Sequence, residues 1–274
     1  MLVVPQSVVS SLMALAALCL LMASGCTTTT EVNGQQVSTS QGNSAIQSEG
    51  DARKRATIRL QLAANYYQKG QFNVALEEAQ RALQIDPAYA DAYGLLGLLN
   101  MDLGKQAEAE SNFQRALQLD GENPELLNNY GWFLCQTARE RQSIDYFRRA
   151  SESKLYGTPA MSMQNAGLCM LRVRDTKAAE EFLKRSFELD AANPVTKFHL
   201  ARLYLSTKQT DRARFYYGLL PRGQEINAEV LWLGLRIAHA EGDVRTEQQL
   251  ANDLRRRFPE SREAAALKRG AFDE

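Results

Sequence analysis

Four cysteines and two histidines carry most of the reactive chemistry open to this 274-residue chain. A thiolate can accept an acyl group, close a disulfide or bind a metal, depending on its surroundings. Cys19 lies inside an apolar run, and Cys26 follows the end of that run behind Ser24 and Gly25. Cys135 and Cys169 stand far downstream, 34 residues apart. None of the cysteines has a metal-ligand partner at C-x2-C spacing, and His199 and His239 lie far from one another. His239, close to Glu241, is the one residue with a catalytic look. Catalysis would need a nucleophile, a base or a metal converging on it, and the sequence supplies none, so it reads as a solvated surface histidine. The chain is therefore expected not to be an enzyme and to need no dissociable cofactor. Lysine plus arginine equals aspartate plus glutamate, 32 against 32, which leaves no net basic field for nucleic acid.

Residues 8–23 read VVSSLMALAALCLLMA. Such a run is short for a membrane span of about 20 residues and suits the apolar core of a signal peptide. With Ser24-Gly25-Cys26 it resembles the lipobox of bacterial lipoproteins. That resemblance implies cleavage before Cys26, diacylglycerol on its thiol and a further acyl chain, such as palmitate, on the freed amine. Several acyl chains anchor far better than one. Two features depart from the pattern: MLVVPQ carries no Lys or Arg, and Ala23 stands where leucine is commoner. Thr27, not Asp, follows the cysteine, which by the same resemblance implies the periplasmic face of the outer membrane. Residues 1–25 are thus the expected signal peptide. Residues 26–50, with the TTTTEVNGQQ run, are the acylated cysteine and a disordered tether, spanning roughly 25–30 Å on average.

The remainder, residues 51–270, repeats with a period near 34. Small residues recur at Ala63, Gly97, Gly131, Gly167, Ala201 and Gly234, with spacings of 34, 34, 36, 34 and 33. A second small residue follows at Ala75, Ala109, Ser143, Ala179, Ala213 and Thr246. A larger one comes at Phe113, Phe147, Leu183, Tyr217 and Leu250 in copies two to six. This is similar to the tetratricopeptide (TPR) pattern, in which the first small residue lets helix A approach helix B. The implied fold is all-α: a right-handed superhelix of six helix-turn-helix repeats starting near 56, 90, 124, 160, 194 and 227. Gly70 and Gly104 suit the turns between helices. Pro87, Pro124, Pro159 and Pro194 fall near the starts of the next A helices, and Glu260 to Lys268 reads as a short closing helix.

A repeat array of this kind works through its surfaces. The groove positions of the A helices include Leu60, Tyr67, Leu98, Met101, Trp132, Leu168, Leu171 and Leu231. Each of these could bind an apolar peptide or pack between helices, and Trp132 is the strongest single candidate. A cationic cluster of the kind that clamps a carboxylate is missing from these positions. Nothing folded is expected ahead of the first repeat, so Ile58, Leu62 and Tyr66 offer a second, unpaired apolar face. No feature calls for self-association, and the chain reads as a monomer when alone.

With Cys19 removed and Cys26 acylated, Cys135 and Cys169 remain. In an oxidising compartment they can pair, or they can stay as two buried thiols; their repeat positions, 12 and 10, do not show their Cα atoms within ~7 Å. The lipobox, the polar tether, the repeats, NNYGWFLCQ (128–136) and NAGLC (165–169) together resemble the type IV pilus pilotins of the PilF/PilW family. That resemblance implies Cys26 as the acylated residue and Cys135 with Cys169 as a disulfide. It also implies the pilus secretin as partner, which the protein would help to reach the outer membrane and multimerise. The other reading is a TPR lipoprotein scaffold of a different envelope assembly, for outer-membrane protein insertion or cell-wall hydrolases.

Overall fold

A computed structural model describes residues 40–221 and 226–272. The expected signal peptide, Cys26 and the tether before Ser40 lie outside the described residues. The chain divides into two units, Met1–Asp51 and Ala52–Glu274, and the repeats belong to the second. Helices account for all regular structure among the described residues. They pair as α1 (Ser40–Gln68) with α2 (Phe72–Ile85), α3 (Ala90–Asp102) with α4 (Gln106–Leu119), and α5 (Pro124–Gln136) with α6 (Glu140–Glu152). Then follow α7 (Pro159–Arg172) with α8 (Thr176–Leu189), α9 (Pro194–Ser206) with α10 (Thr210–Gly218), α11 (Ala228–Glu241) with α12 (Val244–Arg257), and a closing α13 (Arg262–Arg269). Six hairpins make the TPR superhelix.

Helix α1 corrects one expectation, because residues 40–50 are helical rather than disordered tether. The polar composition weighed against packing, but a helix nucleated further along extends at little cost into a run without proline.

The hairpins close because each A helix carries only a glycine or alanine where it meets its neighbour: Ala63, Gly97, Gly131, Gly167, Ala201 and Gly234. A Cβ on Gly97 would lie 2.6 Å from the Phe113 ring, and one on Gly167 2.6 Å from Leu183 Cγ. Gly131 faces Phe147 in the same way. The sixth repeat departs from this scheme. Its Gly234 is filled by Tyr217 of the preceding α10, not by Leu250 of its own helix B. Helix α10 has only nine residues, and Pro221 follows soon after it.

Each turn between A and B needs one left-handed residue. Gly70, Gly104 and Gly242 supply it in repeats one, two and six. Ala138 (φ 61°), Arg174 (φ 58°) and Lys208 (φ 59°) take the same conformation in repeats three to five, where any side chain is disfavoured. Helix starts are fixed by Pro124, Pro159 and Pro194 at the first turn, and by Asn123 and Asn193 side chains accepting from the exposed amides. One apolar cluster runs from Cys135 and Phe147 through Cys169 and Leu200 to Leu233 and Ile237, so repeats three to six share a core.

Candidate functional site

Cys135 on α5 and Cys169 on α7 are buried, with Cα atoms 5.8 Å apart and the sulfurs bonded. The differing repeat positions are no obstacle, because α5 and α7 are adjacent A helices that touch directly. Polar side chains join the same two helices. Buried Asn128 accepts through Oδ1 from Ser162 Oγ at 3.0 Å and from Asn165 Nδ2 at 3.1 Å. Arg172 Nη1 donates to Gln136 Oε1 at 3.1 Å. A buried amide with partners on both sides resists any slip between the helices. Sequence reasoning missed this network, although both of its asparagines lie in the NNYG and NAG motifs.

The candidate binding residues separate into two groups. Ile58 and Leu62, one turn apart on α1, are 65% and 37% exposed. Tyr66, a further turn along, is half-buried against Ala63, Ala75 and Leu96. The groove residues are mostly committed to packing. Leu60 lies against Ala56, Ala82 and Tyr89. Leu98 and Met101 cover Phe113 and Phe133, and Trp132 and Leu171 flank the disulfide cluster. Leu168 is half-buried. Leu231 is a correction, since it is buried with Leu235 and Leu254 beneath α12 and α13. Tyr67 holds α1 to α3 by donating its hydroxyl to Asp102 Oδ2 at 2.7 Å. Burial, that bond and the Asp102 charge push its pKa well up, so it stays a neutral donor.

The histidines are not arranged for catalysis. His239 is exposed and pairs through Nδ1 with Glu247 Oε2 at 3.2 Å, while its neighbour Glu241 is taken by Arg214. His199 is half-buried beside Phe198, with Nδ1 3.2 Å from Arg202 Nη2. Burial, reinforced by the Arg202 charge, lowers its pKa to about 4. An unfolded histidine titrates near 6.5, so the unfolded chain binds the extra proton first. His199 therefore costs no stability above pH 6.5 and a growing amount as the pH falls towards 4. Between pH 7 and 5 the unaltered protein should lose on the order of 1–2 kcal/mol more than His199→Gln. Urea midpoints at the two pH values check this, and parallel losses in both proteins would refute it. No group of three or more His, Cys, Asp or Glu is placed to hold a metal among the described residues. Nor is any helix among them long and apolar enough to cross a membrane.

Residues 65–104 match the family described as TPR repeat, and residues 90–123 the family described as tetratricopeptide repeat. The type IV pilus assembly protein PilF of Pseudomonas aeruginosa is 31% identical over 204 residues, covering 74% of this chain and 81% of PilF. The crystal structure of PilW, described as a widely conserved type IV pilus biogenesis factor, superposes with a TM-score of 0.71 at 29% identity. That match covers 77% of this chain and 97% of PilW. The solved structure of Pseudomonas aeruginosa PilF gives 0.72 at 29% identity, over 81% and 99% of the two chains. These likenesses run along the repeats and include the paired-cysteine region, which a generic TPR match over residues 65–123 does not reach. This chain belongs to the PilF/PilW family of type IV pilus biogenesis TPR proteins.

Proposed function

We propose that this protein is a pilotin: anchored through lipid on Cys26 at the periplasmic face of the outer membrane, it binds a secretin subunit and promotes secretin localisation and multimerisation there. The observation that carries the reading is the Ile58–Leu62 stripe, an apolar face left open at the first repeat of a chain of this family. An exposed apolar pair at helical spacing suits a helix or an extended apolar segment of a partner. Binding, not catalysis, is the mechanism. The repeats supply recognition, and acyl chains on Cys26 supply residence at the membrane.

Crosslinked pull-downs from membranes test both halves. Ile58→Asp with Leu62→Asp should abolish secretin recovery while leaving the free energy of urea unfolding within about 0.5 kcal/mol, because neither side chain is in the core. Cys26→Ser should still recover secretin but yield no outer-membrane secretin multimers. Recovery of outer-membrane insertion proteins or cell-wall enzymes without secretin would replace this reading by the scaffold one.

A further inference from the structure

The open face of the first repeat has a counterpart in repeats two to five, and there it is always covered. Counted from the small residues Ala63, Gly97, Gly131, Gly167 and Ala201, Ile58 corresponds to Ala92, Leu126, Ser162 and Thr196. Leu62 corresponds to Leu96, Tyr130, Ala166 and Leu200, and Tyr66 to Asn100, Leu134, Met170 and Tyr204. Every one of these later residues is 7% exposed or less. Only in the first repeat do the three positions stand open.

What covers them elsewhere is helix B of the preceding repeat. Ala92 clusters with Ala82 of α2, and Leu96 with Ala75 and Ala79. Leu126 clusters with Ala116 of α4, and Tyr130 with Ala109 and Phe113. Thr196 meets Ser186 of α8 through their hydroxyls at 2.9 Å. The covering stripe keeps one spacing, i, i+4, i+7, which lies on a single helix face. It reads Ala75, Ala79, Ala82 on α2 and Ala109, Phe113, Ala116 on α4, with Ala179, Leu183, Ser186 on α8. The first and last members are small, so the two helices can approach closely.

Neither this chain nor a second copy has such a stripe to spare. Residues 26–39, ahead of α1, hold Val32 and Val37 as their only aliphatic side chains and no alanine. The stripes of α2, α4 and α8 are already buried against the following A helices, and Ala213 of α10 is buried too. The last B helix, α12, is closed by α13, with Ala251 and Leu254 packed against Ala266. The occupant therefore comes from a different protein.

We propose that Ile58, Leu62 and Tyr66 receive an α-helix of a partner protein that carries small residues at i and i+7 and an apolar residue at i+4, and that this helix takes the place of a helix B ahead of the first repeat. This occupant presupposes the reading that the face binds the secretin, and it specifies the kind of secretin segment bound. Ile58 requires the small residue at i+7, as Leu126 requires Ala116.

A labelled peptide of the α4 sequence, QAEAESNFQRALQLD, is the probe, because α4 covers a large pair, Leu126 and Tyr130, comparable to Ile58 and Leu62. So short a helix is marginal alone, so a lactam between Ser111→Glu and Arg115→Lys, both on its exposed side, holds it helical. Fluorescence anisotropy should show saturable binding to the full chain in detergent. Ile58→Asp should weaken it at least tenfold, and Val244→Asp, at an exposed residue of α12, should leave it unchanged. The peptide carrying Ala116→Trp should bind at least tenfold more weakly, because the ring would need the space over Ile58. Excess peptide should also displace secretin in the membrane pull-down. Saturable binding at Ile58 with no secretin recovered would remove the secretin reading and uphold the helix site. No saturable binding, equal affinity for the Ala116→Trp peptide, or secretin recovery that depends on Ile58 yet resists excess peptide would overturn the proposal.

Discussion

Phe113→Ala is expected to lower the stability of the repeat array by about 3–5 kcal/mol, read as a fall in the urea midpoint at unchanged slope. The ring is fully buried. It fills the face of α3 that Gly97 leaves bare and meets the rings of Tyr130 and Phe133 at 6.0 and 5.5 Å. One side chain thus closes the second hairpin and joins it to the third, and rigid helix backbones on both sides prevent collapse into the void. In a linear array the loss is felt by each neighbour that buries its face against the damaged repeat. Gly97→Ala should cost about 1–3 kcal/mol by the opposite route, because its methyl carbon would overlap the ring. Combining the two should cost less than their sum, since the added methyl occupies space that Phe113 vacates. Strict additivity would show that Gly97 and Phe113 do not share the contact assigned to them.

The second large effect is at the disulfide. Cys135→Ala with Cys169→Ala should cost about 3–4 kcal/mol, the loop-closure value for a sequence separation of 34 residues. Alanine is chosen because a serine hydroxyl at either fully buried position would need a partner. Reduction of the unaltered protein should reproduce the loss without changing any side chain's volume, separating the cross-link from packing. A reduced protein with an unchanged urea midpoint would show that the Asn128 network and the shared core already hold α5 to α7. The bond joins A helices of neighbouring repeats rather than the two helices of one hairpin. It therefore braces the stacking between repeats, on which the groove geometry depends.

The sequence made much of this legible. The recurrence of small residues near every 34 positions is a local requirement, because a hairpin cannot close over a side chain at Gly97, Gly131 or Gly167. Six copies of that requirement specify six hairpins before any coordinates exist. The closing helix was readable from its composition, and the cysteine motifs together with the asparagine motifs carried the family resemblance. Less legible was the fate of the groove. Tyr67, Leu98, Met101 and Trp132 occupy groove positions by count, yet each is partly covered. How far a half-exposed residue is covered depends on the angle between neighbouring hairpins, and the repeat period does not encode that angle.

What the sequence by itself determined is the repeating hairpin, its small-residue positions and its family, because these follow from spacings within about 34 residues that repeats two to four satisfy internally. Only the tertiary structure decided which residues meet between repeats. Cys135 and Cys169 lie 5.8 Å apart at the Cα atoms. Tyr217 fills the space over Gly234 in place of Leu250. Phe272 stacks on Trp232, and arginines from three helices gather around one cavity. Each of these depends on how one hairpin is rotated against the next. That rotation comes from the summed packing of the array, which includes exceptions such as the nine-residue α10 as well as the repeating pattern.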